Sequence, residues 1–166
     1  SDVYKRQILT DMNRTDTSTH IRKVCRMFKE RGMMLRTTLM VGFPGETDED
    51  FEELMDFVAE TKFDRMGAFM FCPEDGTRAA DMPNQVPEEV KQERYDRLMT
   101  LQHGISLAQN KARVGTTCRV LVEKKRGSRY VGRSEFEAPE TDGNIFFSSE
   151  EPCEIGTFVN VKITGA

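Results

Sequence analysis

The chain has 166 residues, of which 37% are hydrophobic and 31% charged, with a net charge of −4. That composition excludes a disordered chain, and no run approaches the roughly 18 apolar residues that a membrane span requires. The acidic balance also excludes a protein that coats nucleic acid indiscriminately, a task that needs a basic surplus.

The opening "SDVYKRQ" is polar throughout and carries no signal-peptide pattern, so a cytoplasmic location is the expectation. Ile21, Val24, Cys25 and Phe28 then recur at helical spacing, which predicts an amphipathic helix stopped by Gly32. "MMLRTTLMV" is short and mostly apolar, the form of a buried parallel strand. Thr47 can cap the helix that follows. Its first turn, Asp48, Glu49 and Asp50, complements the helix dipole, and Phe51, Leu54, Met55 and Val58 form its inward face. A second apolar run, "RMGAFMFC", completes helix, strand, helix, strand, the order of βα units with parallel pairing.

"PEDGTRAADMPNQVP" is rich in turn formers and reads as loop. Pro87 opens a long helix with a stripe of Val90, Leu98, Leu101, Ile105 and Ala108, ending at about Lys111. At ~24 residues it would run ~36 Å, enough to bridge from one domain to the next. Beyond Gly115 the pattern turns to alternation. Cys118, Val120 and Val122 alternate in "TTCRVLVE", and Val159, Val161 and Ile163 in "TFVNVKI", with "SRYVGR" and "NIFFSS" between them. Short strands over about 50 residues predict a small OB-like β-barrel. The fold class is therefore α/β followed by all-β, with a boundary near Arg113.

Two parallel strands alone do not make a stable sheet, so another chain or further strands must complete the first part. The cysteines Cys25, Cys72, Cys118 and Cys153 lie far apart without chelating spacing. Like His20 and His103 they are expected to be structural, and no metal site is expected in this chain. The stretch "VGFPGETDEDF" combines strand end, glycine turn and helix start, an arrangement that can hold phosphate. No Gly-Lys-Ser/Thr follows, however, and three acids crowd the helix start, so phosphate would be repelled.

"ILTDMNR", "LRTTLMVGFPGETDEDFEEL", "FDRMGAFMFCPEDGTRAA", "QVPEEVKQERYDRLMTLQHGISLAQN" and "VGRSEFEAPETDG" occur in one line. In this order they resemble the C-terminal part of the radical S-adenosylmethionine methylthiotransferases, of the RimO type that modifies a ribosomal protein. The resemblance runs from about Ile8 to Ala166. It implies the last βα units of a partial (βα) barrel over 8–112, a long linking helix, and a TRAM β-barrel over 113–166. Residues 1–7 do not resemble the family and are expected to be a non-native leader. Thr10 and Asp11 stand where the family usually has a basic pair, and Cys72 stands where it usually has serine.

The resemblance further implies S-adenosylmethionine and [4Fe–4S] clusters in the full-length parent. The cluster-binding cysteines are absent from this chain, which is therefore expected to hold no catalytic residue and to be inactive by itself. The cofactor would lie across the C-terminal edge of the strands. Gly42 and Gly45 would let the backbone approach it, Val41 and Phe43 would pack on adenine, and backbone near Phe71 and Cys72 would bond its edge. Arg36 and Thr38 are polar residues in a strand that otherwise looks buried. A buried arginine needs an anionic partner, either an acid such as Glu46 or the methionine carboxylate of the cofactor.

The implied reaction adds a methylthio group to the β-carbon of an aspartate in a small-subunit ribosomal protein, by a monomeric enzyme and with no membrane. In the β part, Lys124, Lys125, Arg126, Arg129 and Arg133 are balanced by acids. Arg129, Arg133, Glu135, Glu137, Glu140 and Asp142 are the candidate substrate contacts, and such an acidic edge suits a basic ribosomal protein better than RNA. The alternatives are methylthiolation of a tRNA adenosine by a MiaB-type relative, and a non-catalytic substrate-binding module.

Overall fold

The computed structural model describes residues 8–166 apart from 13, 14 and 16; the expectation about residues 1–7 lies outside the described residues. The chain divides into two compact units, the first ending at Ala108 and the second comprising Gln109–Ala166.

In the first unit, β1 (Arg36–Val41) and β2 (Arg65–Met70) pair in parallel, from Arg36 beside Arg65 to Val41 beside Met70. Helices α1 (Ser18–Glu30), α2 (Asp48–Thr61) and α3 (Glu88–Arg113) flank them, the last continuing into the second unit. Helix α1 starts at a Thr17 cap, whose hydroxyl accepts from His20 N–H. It ends at Gly32 (φ 70°), where Gly32 N–H donates to Lys29 and Met33 N–H to Phe28, a Schellman ending. The α2 start is a full capping box, with Thr47 and Asp50 each accepting the other's backbone N–H. Pro87 precedes α3 and accepts Lys91 N–H, so it occupies the cap rather than the first helical position.

Successive strand residues face opposite ways, and the two faces of this pair have different fates. Leu39, Val41, Met66, Ala68 and Met70 pack on Phe51 and Val58 of α2, Leu98 of α3 and Cys25 of α1. No residue of α1 is fully buried, so its stripe is only half covered. The opposite face carries Arg36, Thr38 and Met40 beside Arg65, Gly67 and Phe69, and Arg36, Thr38, Gly67 and Phe69 are exposed, Phe69 to 46%. The strand is thus buried on one face only. Arg36 and Thr38, expected inside, stand on the open face.

In the second unit β3 (Thr117–Arg126), β4 (Arg129–Arg133), β5 (Ile145–Phe147) and β6 (Phe158–Lys162) form an antiparallel sheet in the order β5-β4-β3-β6. This half-barrel fits the OB-like expectation, with β5 and β6 as its edges. The β3–β4 register shifts between Val122 and Lys124, a bulge that bends β3. Gly132 permits the close approach of these strands, since a Cβ there would lie 2.1 Å from the Leu121 carbonyl oxygen. Val120, Val122, Tyr130, Phe147 and Val161 form the core, and Tyr130 stacks on Phe147.

Candidate functional site

The C-terminal ends of β1 and β2 lie side by side, and the ladder continues past them through Phe71 N–H donating to Val41 at 2.8 Å. Immediately beyond, Gly42 (φ 74°) and Gly45 (φ 84°) take left-handed conformations that L side chains rarely adopt. The turn is tied at three points. Gly42 N–H donates to the Glu46 carboxylate at 2.9 Å, Glu46 N–H to the Phe43 carbonyl at 2.9 Å, and Gly45 N–H to the Asn84 carbonyl at 2.9 Å. Phe43 and Phe71 meet edge to face beneath it, 5.3 Å between ring centres.

Glu46 is central to this turn. Burial pushes its carboxyl above the usual range, an effect only partly offset by Gly42 N–H and by Arg94. Arg94 grips Glu46 Oε1 at 2.7 Å and Asp48 Oδ1 at 2.7 Å. The described partner of Glu46 is Arg94, on α3. Lys91, one turn earlier, is equally buried and lays its stem on Gly42, with its ammonium 5.6 Å from the centre of the Phe71 ring and 3.2 Å from Glu88.

Lys91 and Arg94 fall outside the apolar stripe expected on α3. The buried positions are Lys91, Arg94, Leu98 and Gln102, a helical face on which three of four side chains are polar. The spacing was the available signal: charged residues stand at helical spacing from Leu98, with acids before and within the start of α2 to receive Arg94 and Glu88 to receive Lys91.

The other candidates distribute as follows. Arg36 and Thr38 share the open face, below the turn. Val41 is fully buried in the core and Phe43 nearly so, which leaves their backbone rather than their side chains at the strand ends. Cys72 is exposed, so it is no buried hydrophobe, whereas Cys25, Cys118 and Cys153 pack against the two cores. Cys25 lies on α1, Cys118 on β3, and Cys72 and Cys153 in loops, and among the described residues no three His, Cys, Asp or Glu side chains gather where a metal could be held. These residues do not fit an iron–sulfur cluster.

In the second unit Glu137 is buried and structural. Burial alone would raise its carboxyl, but bonds from the Ser134 hydroxyl (2.5 Å), Arg113 (2.8 Å) and Ser134 N–H (2.8 Å) hold it below the ordinary range. Asp142 accepts Ala138 N–H at 2.7 Å and so shapes its own loop. Arg133 pairs with Glu123 at 2.6 Å. Arg129, Glu135 and Glu140 are exposed, as are Lys124, Lys125 and Arg126 at the β3–β4 hairpin and Glu150, Glu151 and Glu154 before β6. Among the described residues no helix is long and apolar enough to cross a membrane.

Residues 2–58 match the radical SAM superfamily and residues 114–166 match the TRAM domain; the first match begins inside the stretch expected to be extraneous. Three relatives are each named ribosomal protein uS12 methylthiotransferase RimO. That of Desulforudis audaxviator (strain MP104C) is 48% identical over 96% of the chain, and that of Desulforamulus reducens 47% over 96%. That of Pelotomaculum thermopropionicum is 56% identical over 81% of the chain. The matched stretches cover 36%, 37% and 31% of those relatives, so the chain spans about a third of the length of the curated relatives it matches.

Proposed function

We propose that this chain, which matches the radical SAM superfamily over residues 2–58 and the TRAM domain over residues 114–166, is a portion of a ribosomal-protein methylthiotransferase. The longer protein would place a methylthio group on the β-carbon of an aspartate in ribosomal protein uS12. The observation that carries this reading is the length of the likeness: identity of 48% extends over 96% of the chain and so through both units.

In this reading the open face of β1 and β2 is one wall of the S-adenosylmethionine site. Arg36 offers a guanidinium to the cofactor's carboxylate, and Thr38 offers a hydroxyl on the same face. Gly42 and Gly45 keep the turn free of side chains where the ligand crosses the strand ends, and main-chain groups at Phe71 and Cys72 meet the adenine edge. When bound and given one electron by an iron–sulfur cluster of the longer protein, S-adenosylmethionine would supply the radical chemistry that opens an unreactive C–H bond. The residues described here bind and orient it. The exposed acids of the second unit, Glu135 and Glu140 among them, suit a basic ribosomal protein.

The test is to express the longer protein that carries this segment in cells lacking their own such enzyme, and to examine uS12 and tRNA by mass spectrometry. One methylthio group on an aspartate of uS12, with tRNA adenosines unmodified, is the expected result. Modified tRNA beside unmodified uS12 would overturn the proposal.

A further inference from the structure

Two cations of α3 lie outside the strand–turn–helix segment, yet both reach its glycine turn, Arg94 with its guanidinium and Lys91 with its stem. The Lys91 stem crosses Gly42 so closely that a Cβ there would stand 2.4 Å from its Cγ. Arg94 holds Glu46 through the carboxylate at 2.7 Å and through the main-chain carbonyl at 3.2 Å, and reaches Asp48 at 2.7 Å. The oxygen of Glu46 that receives Arg94 is the one that accepts Gly42 N–H at 2.9 Å.

The setting distinguishes this from an ordinary surface ion pair. Exposed pairs contribute little, but the Arg94 and Glu46 side chains are only 6% and 7% exposed, and removing one leaves the other as an uncompensated charge. A buried carboxylate bonded from two sides is confined to one orientation. It therefore confines the amide it accepts. Lys91 adds the second constraint, touching the chain after β1 at Gly42 and lying over the Phe71 ring after β2.

From these contacts we infer that Arg94 and Lys91 are positioning residues, through which α3 sets the shape of the glycine turn and so the backbone surface that the turn offers to the cofactor. The link to the cofactor rests on the reading proposed above. The clamp on the turn stands without it.

The test is amide hydrogen exchange, resolved by NMR on the longer protein that carries this segment, with Gly42 and Gly45 as reporters and Val58 in the core of α2 as control. Arg94→Met accelerates exchange at Gly42 by about tenfold or more and leaves Val58 unchanged. Arg94→Lys gives an intermediate value. Glu46→Gln keeps Gly42 protected, because its amide oxygen still accepts the N–H, while Glu46→Ala does not. Where Arg94→Met or Glu46→Ala unfolds the unit, Arg94→Lys and Glu46→Gln decide.

Exchange at Gly42 within about twofold of wild type in Arg94→Met would overturn the inference. Equal acceleration at Gly42 and Val58 in Arg94→Lys would overturn it too, since that marks general loosening. In the longer protein, Arg94→Lys raises KM for S-adenosylmethionine with kcat little changed. A loosened Gly42 with unchanged KM would leave the clamp in place and refute instead the reading of the turn as a cofactor wall.

Discussion

Gly42→Ala tests whether the turn depends on its contact with α3 as well as on its own dihedral angles. Two costs are separable at this position. At φ 74° a Cβ costs about 1–2 kcal/mol in the left-handed region. At 2.4 Å from Lys91 Cγ it also forces a buried stem to move, and overpacking of that kind costs about 1–3 kcal/mol. Lower chain entropy in the unfolded state returns about 0.4–1 kcal/mol. The net loss should be about 2–4 kcal/mol. Gly45 supplies the control, because its φ is 84° but nothing lies within 4 Å of an added Cβ. Gly45→Ala should therefore cost only about 1 kcal/mol. Urea unfolding of the longer protein that carries this segment measures both. Adding Lys91→Ala to Gly42→Ala should recover about 1–2 kcal/mol relative to the sum of the single changes, the signature of two residues in contact. Equal losses at Gly42 and Gly45, or strict additivity with Lys91→Ala, would refute the argument.

Glu46 and Glu137 should respond to pH in opposite directions. Glu137 is held below the ordinary value of 4.5, so its contribution is present above that value and is lost as pH falls through its folded-state value. Melting temperatures of wild type and Glu137→Gln should therefore converge on acidification. Glu46 is raised above 4.5 by burial, so its fold binds the extra proton, and stability falls as pH rises from 4.5 through the folded-state value. Glu46→Gln should abolish that decline, measured by urea unfolding across the same range. In the second unit, Gly132→Ala would set a Cβ 2.1 Å from the Leu121 carbonyl oxygen and 2.7 Å from Val120 Cγ1. Because backbone must move, the loss should reach about 3 kcal/mol, seen as an early loss of the strand signal in far-ultraviolet circular dichroism.

Local features of the fold were legible because local chemistry dictates them. Thr47 with its acidic turn specified the start of α2, Gly32 the end of α1, and the alternation around Val120 and Val161 the paired strands β3 and β6. Periodicity also placed Leu98 in the core. It could not place Arg94, because a cation at a buried position is intelligible only when its partner is known, and Glu46 stands 48 residues earlier. Arg36 was misread for the complementary reason. Its strand looks buried in sequence, but burial belongs to a face, and one face of β1 is uncovered here. Glu137 was read as a surface contact because its neighbours are surface acids, while Arg113 and Ser134 in fact draw it inward.

Helix α3 holds a consequence for how such proteins can be recombined. Its residues from Lys91 to Ile105 serve the first unit, through the clamp and the core, whereas Arg113 at its end serves the second by bonding Glu137 at 2.8 Å. The division between units falls inside the helix, after Ala108. A chimaera that exchanges the β unit at the obvious place, the loop before Pro87, would carry Lys91 and Arg94 away with the incoming partner. A junction within Leu107–Asn110 keeps each arginine with its own acid, so the seam for exchanging the β unit lies within a continuous helix rather than in a linker.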